Sequence, residues 1–119
     1  MRYIAVAPHR SEYPQPIRFA KGSLITIGEK YEGPEGWDNW YLCRTPDSQE
    51  GWVPGQIIEQ LAPGNGKALE DYTALELNVD AGDVLIGTRT LNGWVWCHHS
   101  SEARNGWVPL KNLEEIDND

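Results

Sequence analysis

The chain of 119 residues carries 18 Asp and Glu against 10 Lys and Arg, a formal net charge of −8. That balance argues against a nucleic-acid or anionic-membrane binder, whose affinity comes from clustered cations on phosphates, and no apolar run approaches the ~18 residues of a membrane-spanning helix. Six Trp and five Tyr beside one Phe and one Met suit very small β-domains or aromatic grooves, which bury much area with few residues.

In chain order, the segment Met1 to Arg10 starts basic and turns apolar for about five residues, fewer than the ~7–15 of a signal-peptide core, so a cytoplasmic location is expected. Short β-branched stretches bounded by turn formers then predict strands at about 2–7, 23–30, 39–44, 50–54 and 57–61. Leu61-Ala62-Pro63-Gly64-Asn65-Gly66-Lys67 clusters Pro, Gly and Asn without apolar periodicity and reads as a linker. Strands follow at about 67–71, 83–90, 93–99, 105–109 and 113–116, with Asn92-Gly93 and Asn105-Gly106 expected as tight reversals.

These two series are one pattern written twice. Gly51-Trp52-Val53-Pro54 recurs as Gly106-Trp107-Val108-Pro109, and Trp40 and Trp94 precede these blocks, each followed three residues later by a cysteine, Cys43 or Cys97. Lys21-Gly22-Ser23-Leu24-Ile25 corresponds to Ala81-Gly82-Asp83-Val84-Leu85, and Ile58-Glu59-Gln60-Leu61 to Leu113-Glu114-Glu115-Ile116. Five blocks in one order indicate a duplication. The predicted architecture is all-β, two tandem five-stranded small barrels at residues 1–62 and 63–119.

The second copy reads Ala68-Leu69-Glu70-Asp71-Tyr72, then Glu76-Leu77-Asn78-Val79, Ala81-Gly82-Asp83-Val84-Leu85, Trp94 and Gly106-Trp107-Val108-Pro109. This series resembles the Src homology 3 (SH3) family, and the first copy is similar to the variant SH3 domains of bacteria, with Ala5-Val6-Ala7-Pro8-His9 in place of the opening motif. The resemblance implies SH3-like barrels with a long loop after the first strand, the RT loop, here residues 9–19 and 72–80. It also implies a non-enzymatic binding module whose aromatic groove takes a polyproline II ligand.

Carried over position by position, the groove tryptophan maps on Trp94 and Trp40, and the groove proline on Pro109 and Pro54. The two opening-motif tyrosines map on Glu70 and Tyr72 in the second copy and on Ala7 and His9 in the first. The last groove tyrosine maps on Asn112 and Ile57. Taken as consecutive barrels, the second keeps three of five groove positions and the first two. Its loop acids Glu70, Glu76 and Asp80, with Asp83 beside them, imply a basic, proline-containing peptide as partner.

Other features have plainer readings. Period-two geometry puts Trp94 and Trp96 on one face and Val95 and Cys97 on the other, so Cys43 and Cys97 are expected as buried thiols. Trp52 and Trp107 are expected as scaffold. Neighbours in a strand face opposite ways, so Cys97-His98-His99 does not promise a metal site; no catalytic group, cofactor or metal is expected. Trp37 serves either a ligand platform or packing on its own loop or the neighbouring barrel, and Tyr13-Pro14-Gln15-Pro16 either docks on a partner or stiffens its loop. The alternative to an adaptor is a structural or regulatory protein whose grooves are covered by barrel packing or self-association.

Overall fold

The computed structural model describes residues 1–11, 15–32 and 39–116. Twelve strands run in order: β1 (Arg2–Ala5), β2 (Arg18–Phe19), β3 (Leu24–Lys30), β4 (Trp40–Arg44), β5 (Glu50–Pro54), β6 (Ile58–Ala62), β7 (Asn65–Ala68), β8 (Tyr72–Thr73), β9 (Val84–Leu91), β10 (Trp94–His99), β11 (Asn105–Pro109) and β12 (Leu113–Glu115). Single 3₁₀ turns, Gly55–Ile57 and Leu110–Asn112, follow β5 and β11, and the described residues contain no α-helix. Ten of the twelve strands correspond to the predicted ones. The short β2 and β8 lie in the RT segments.

The departure from expectation is at the seam. Leu61 to Lys67 is a hairpin rather than a linker: β6 pairs antiparallel with β7, and Ala62 opposite Asn65 leaves Pro63 and Gly64 as the two turn residues. Gly64 has φ +79°, and proline followed by glycine at positive φ is the composition of a type II turn. A two-residue connection makes its flanking strands antiparallel neighbours. The opening strand of the second repeat therefore completes the sheet of the first.

That sheet has the order β5-β4-β3-β7-β6. The other has the order β11-β10-β9-β1-β12, with β1 paired to β9 on one side and β12 on the other. The repeats have exchanged first strands. One unit comprises Met1–Pro14 with Leu75–Asp119, and the other Gln15–Ala74. The compact units thus differ in bounds from the repeats expected at 1–62 and 63–119, because the Pro63-Gly64 turn holds β7 against β6.

Each exchanged strand does the same work in its host. Tyr3 and Ala5 of β1 are buried in a core with Leu77, Val79, Leu85, Val95, Cys97 and Val108. In the 15–74 unit Ala68 of β7 is buried, as are Ile17, Ile25, Cys43, Val53 and Ile57. Ala5 stands opposite Leu113 and Ala68 opposite Ile58, which are matched positions of the repeat. The exchange also levels the charge. Residues 61–119 hold four Lys and Arg against ten Asp and Glu, but each compact unit holds five against nine, a net −4 apiece.

Local signals behaved as chemistry demands at most turns. Asn92 and Gly93 have φ 47° and 85°, the doubly positive pattern of a type I′ turn, between the paired residues Leu91 and Trp94. Asn105-Gly106 is not a reversal: it lies within β11, opposite His98 and Cys97. Gly106 is required there by close approach, since a Cβ would stand 2.7 Å from the backbone nitrogen of Leu77. Pro54 and Pro109 end edge strands, where a missing N–H costs no ladder bond.

Candidate functional site

The β10–β11 ladder in one unit and the β4–β5 ladder in the other set the tryptophan and the proline expected for a groove side by side. Trp94 is opposite Pro109 and Trp40 opposite Pro54. Alternation sends Val95, Cys97 and Val108 inward on the one ladder, and Cys43 and Val53 on the other. Both thiols are free and buried, and desolvation pushes each up to about 12. Trp96 meets its cross-strand partner Trp107 edge-on at 5.4 Å, and Trp107 binds the RT segment by its backbone, donating to Leu75 and accepting from Leu77. Trp52 meets Tyr31 edge-on at 5.1 Å.

The exchange redistributes the remaining positions. His9, not Tyr72, shares a unit with Trp94: the rings meet edge-on, centroids 5.6 Å apart. His9 and Val79 exchange both backbone hydrogen bonds, and His9 Nε2 lies 2.7 Å from Glu76 Oε1 with both side chains largely buried. The next residue, Arg10, binds Asp80 and donates to the carbonyls of His9 and Val79. The Arg10 hydrogen bond and charge hold the Asp80 carboxyl below the usual range. Asn112, at the last groove position, donates to the carbonyl of Pro8 at 3.1 Å.

So the two acids expected to receive a basic ligand, Glu76 and Asp80, already face a basic dipeptide, His9-Arg10. No local signal in the sequence marked this pairing. It requires residues 67 and 70 positions apart to be brought together by β1 crossing into the other sheet.

Tyr72 is built into the 15–74 unit with Trp40, Pro54 and Glu70. Its ring is 5.6 Å from Phe19, tilted by 37°, across the β2–β8 pair in which Phe19 is opposite Tyr72. Its hydroxyl donates to the carbonyl of Trp52 at 3.4 Å. Glu70 is half-buried, and its neighbour Asp71 accepts the Lys21 backbone N–H at 2.7 Å. The Trp40 indole Nε1–H is buried without a hydrogen-bond partner among the described residues. An unsatisfied buried donor of this kind costs roughly 1–3 kcal/mol.

By the family's positions, this unit therefore holds three of five groove residues, Tyr72, Trp40 and Pro54. The unit containing Trp94 and Pro109 holds two. Trp37 and residues Tyr13 and Pro14 lie outside the described residues.

The Cys97-His98-His99 run divides as alternation requires: Cys97 is in the core, His98 is exposed, and His99 Nε2 lies 3.5 Å from Asp83 Oδ2. His99 Nδ1 also accepts the backbone N–H of Ser101 at 3.2 Å, with the Ser101 hydroxyl 3.3 Å away. Since Nδ1 accepts, the neutral ring carries its proton on Nε2, toward Asp83. The arrangement clamps the turn between β10 and β11, and sequence reasoning did not foresee it. Among the described residues no three His, Cys, Asp or Glu gather as an ion site.

Comparison with known families matches residues 2–61 to the variant SH3 domain. No curated protein and no solved structure matches the chain.

Proposed function

The chain belongs to the variant SH3 family, and on that premise we propose that it is a non-catalytic interaction module whose ligand groove lies in the 15–74 unit, around Tyr72, Trp40 and Pro54. The observation that carries this reading is the indole N–H of Trp40, unpartnered among the described residues and next to Pro54 in register. A ligand carbonyl that reaches it as the side chains covering it move aside satisfies a donor that now costs free energy. Proline-containing peptides suit such a site, because the polyproline II backbone presents unbonded carbonyls at low entropy cost. Glu70 on the RT side, with the unit's net charge of −4, favours a basic residue beside the prolines.

A second reading is supported for the other groove. There His9-Arg10 stands against Glu76 and Asp80, and the His9 ring packs edge-on against Trp94. These contacts favour a structural role for that unit, with its loop acids engaged from within the chain.

The test is a two-dimensional NMR titration of labelled protein with Pro-rich peptides bearing Arg or Lys, following the six indole N–H resonances. Saturable movement of the Trp40 resonance supports the groove. Movement confined to Trp94 transfers the site to the other unit, and no movement at either refutes peptide binding.

A further inference from the structure

The sequence contains three Asn-Gly pairs, Asn65-Gly66, Asn92-Gly93 and Asn105-Gly106, and the fold sets them in different backbone environments. Asparagine is a thermolabile residue, because the backbone nitrogen of the next residue can attack its side-chain carbonyl carbon. Glycine in that next position puts no side chain in the path and turns freely. The attack needs a nitrogen whose N–H is not tied to an acceptor.

Two of the pairs are locked in ladders. Gly66 is buried mid-sheet, opposite Ile25 on β3 and Gln60 on β6. Bonds from Ile27 N–H to Gly64 O and from Ala68 N–H to Ser23 O flank it, so alternation makes Ile25 and Gly66 the hydrogen-bonded pair between them. Gly106 is buried opposite Cys97, two residues along from the bond that His99 donates to Arg104, so it too stands at a hydrogen-bonded position. The backbone of Leu75 to Leu77 closes over it.

Asn92-Gly93 differs. It is the whole of the turn between Leu91 and Trp94, Gly93 is exposed, and a Cβ built on it meets nothing within 4 Å. A type I′ turn joins its first carbonyl to its fourth N–H and leaves the third N–H outside. Among the described residues the Gly93 N–H has no acceptor, whereas its carbonyl accepts the Leu110 N–H at 2.8 Å.

We infer that Asn92 is a self-modification site. The Gly93 nitrogen bonds to Asn92 Cγ and loses its proton to solvent, while the side-chain nitrogen takes up a proton and leaves as ammonia. Water then opens the cyclic imide at either carbonyl, giving aspartate or isoaspartate, and is the sole co-reactant. Either product adds a negative charge to a unit of net −4. Isoaspartate also adds a carbon to the main chain of a two-residue turn that ends at Trp94 and holds Leu110, the residue after Pro109. The product therefore disturbs the start of the ladder, where Trp94 stands opposite Pro109.

Full-length protein is aged in mildly alkaline buffer, native and in urea, and digested with trypsin. Cleavage after Arg44, Lys67, Arg89, Arg104 and Lys111 isolates the pairs in peptides 45–67, 90–104 and 105–111, where mass spectrometry and isoaspartate-specific methylation read the conversion. In the native protein, peptide 90–104 is expected to convert at least about tenfold faster than the others, which react only from locally opened states. In urea the three rates should converge, and the native sample should show a second Trp94 indole resonance growing as Asn92 converts. Equal native rates, or earlier conversion at Asn65 or Asn105, overturn the assignment, as does a peptide 90–104 that stays intact. A preference for Asn92 that persists in urea belongs to neighbouring residues rather than to the turn and overturns it too. Conversion that leaves the Trp94 resonance single overturns the effect on the ladder.

Discussion

His9 and Glu76 share a 2.7 Å contact across 67 residues of sequence. Each occupies an RT segment, one from each repeat, and they meet only because β1 is a strand of the sheet containing β9 to β12. The contact, like that of Arg10 with Asp80, reports the exchange of first strands directly. It also places a histidine where the family's second opening-motif tyrosine stands, edge-on to Trp94.

Replacing His9 with alanine strands Glu76, whose side chain is 9% exposed, without its partner. The expected loss is roughly 1–3 kcal/mol, read by urea denaturation. The double variant His9→Ala/Glu76→Leu should recover much of it, because an unpaired buried polar group costs more than an apolar replacement of similar shape. Unchanged stability in His9→Ala would contradict the paired geometry.

Peptide binding should depend on Trp40 more than on Trp94. Trp40→Ala is expected to abolish binding, and Trp94→Ala to leave affinity within about threefold. Calorimetric titration of both variants with one Pro-rich basic peptide checks the ranking, with circular dichroism confirming that each remains folded.

Fragments should fold along the structural division rather than the repeat boundary. Residues 15–74 contain all five strands of one sheet in continuous sequence, so this fragment should give a dispersed NMR spectrum and a cooperative melt. Residues 1–62 lack β7 and leave β3 and β6 without a partner between them, and should be unfolded or associated. The opposite result would assign β7 to its own repeat.

Burial pushes both thiols from 9.0 to about 12. The folded value exceeds the unfolded one, so this contribution to stability is intact below about pH 9 and fades as pH rises toward 12. The native protein should leave thiol reagents unreacted at about pH 8 and release two equivalents on unfolding. Rapid labelling of either cysteine in the native protein would show that its barrel is open there.

The glycines of the two Gly-Trp-Val-Pro blocks should respond unequally. A Cβ on Gly106 meets backbone, Leu77 N at 2.7 Å and Glu76 C at 2.8 Å, whereas one on Gly51 meets the end of a side chain, Ile17 Cγ2 at 2.8 Å. Gly106→Ala is expected at the upper end of about 1–3 kcal/mol and Gly51→Ala at the lower. Equal melting temperatures would mean that the RT segment yields as easily as a methyl group turns.

What the residues determined by themselves was most of the local structure: ten strands, the Asn92-Gly93 turn, the edge prolines and the inward cysteines. These depend on alternation, backbone freedom and missing donors within a few positions. Only the tertiary structure decided which sheet each first strand joins. In either arrangement β1 and β7 present the same alternating faces and form ladders between the same kinds of neighbour, so no local pattern distinguishes them. The choice falls to a two-residue Pro63-Gly64 turn that folds β7 onto β6, leaving β1 for the other sheet, carrying His9 to Glu76 and building Tyr72 into the unit of Trp40.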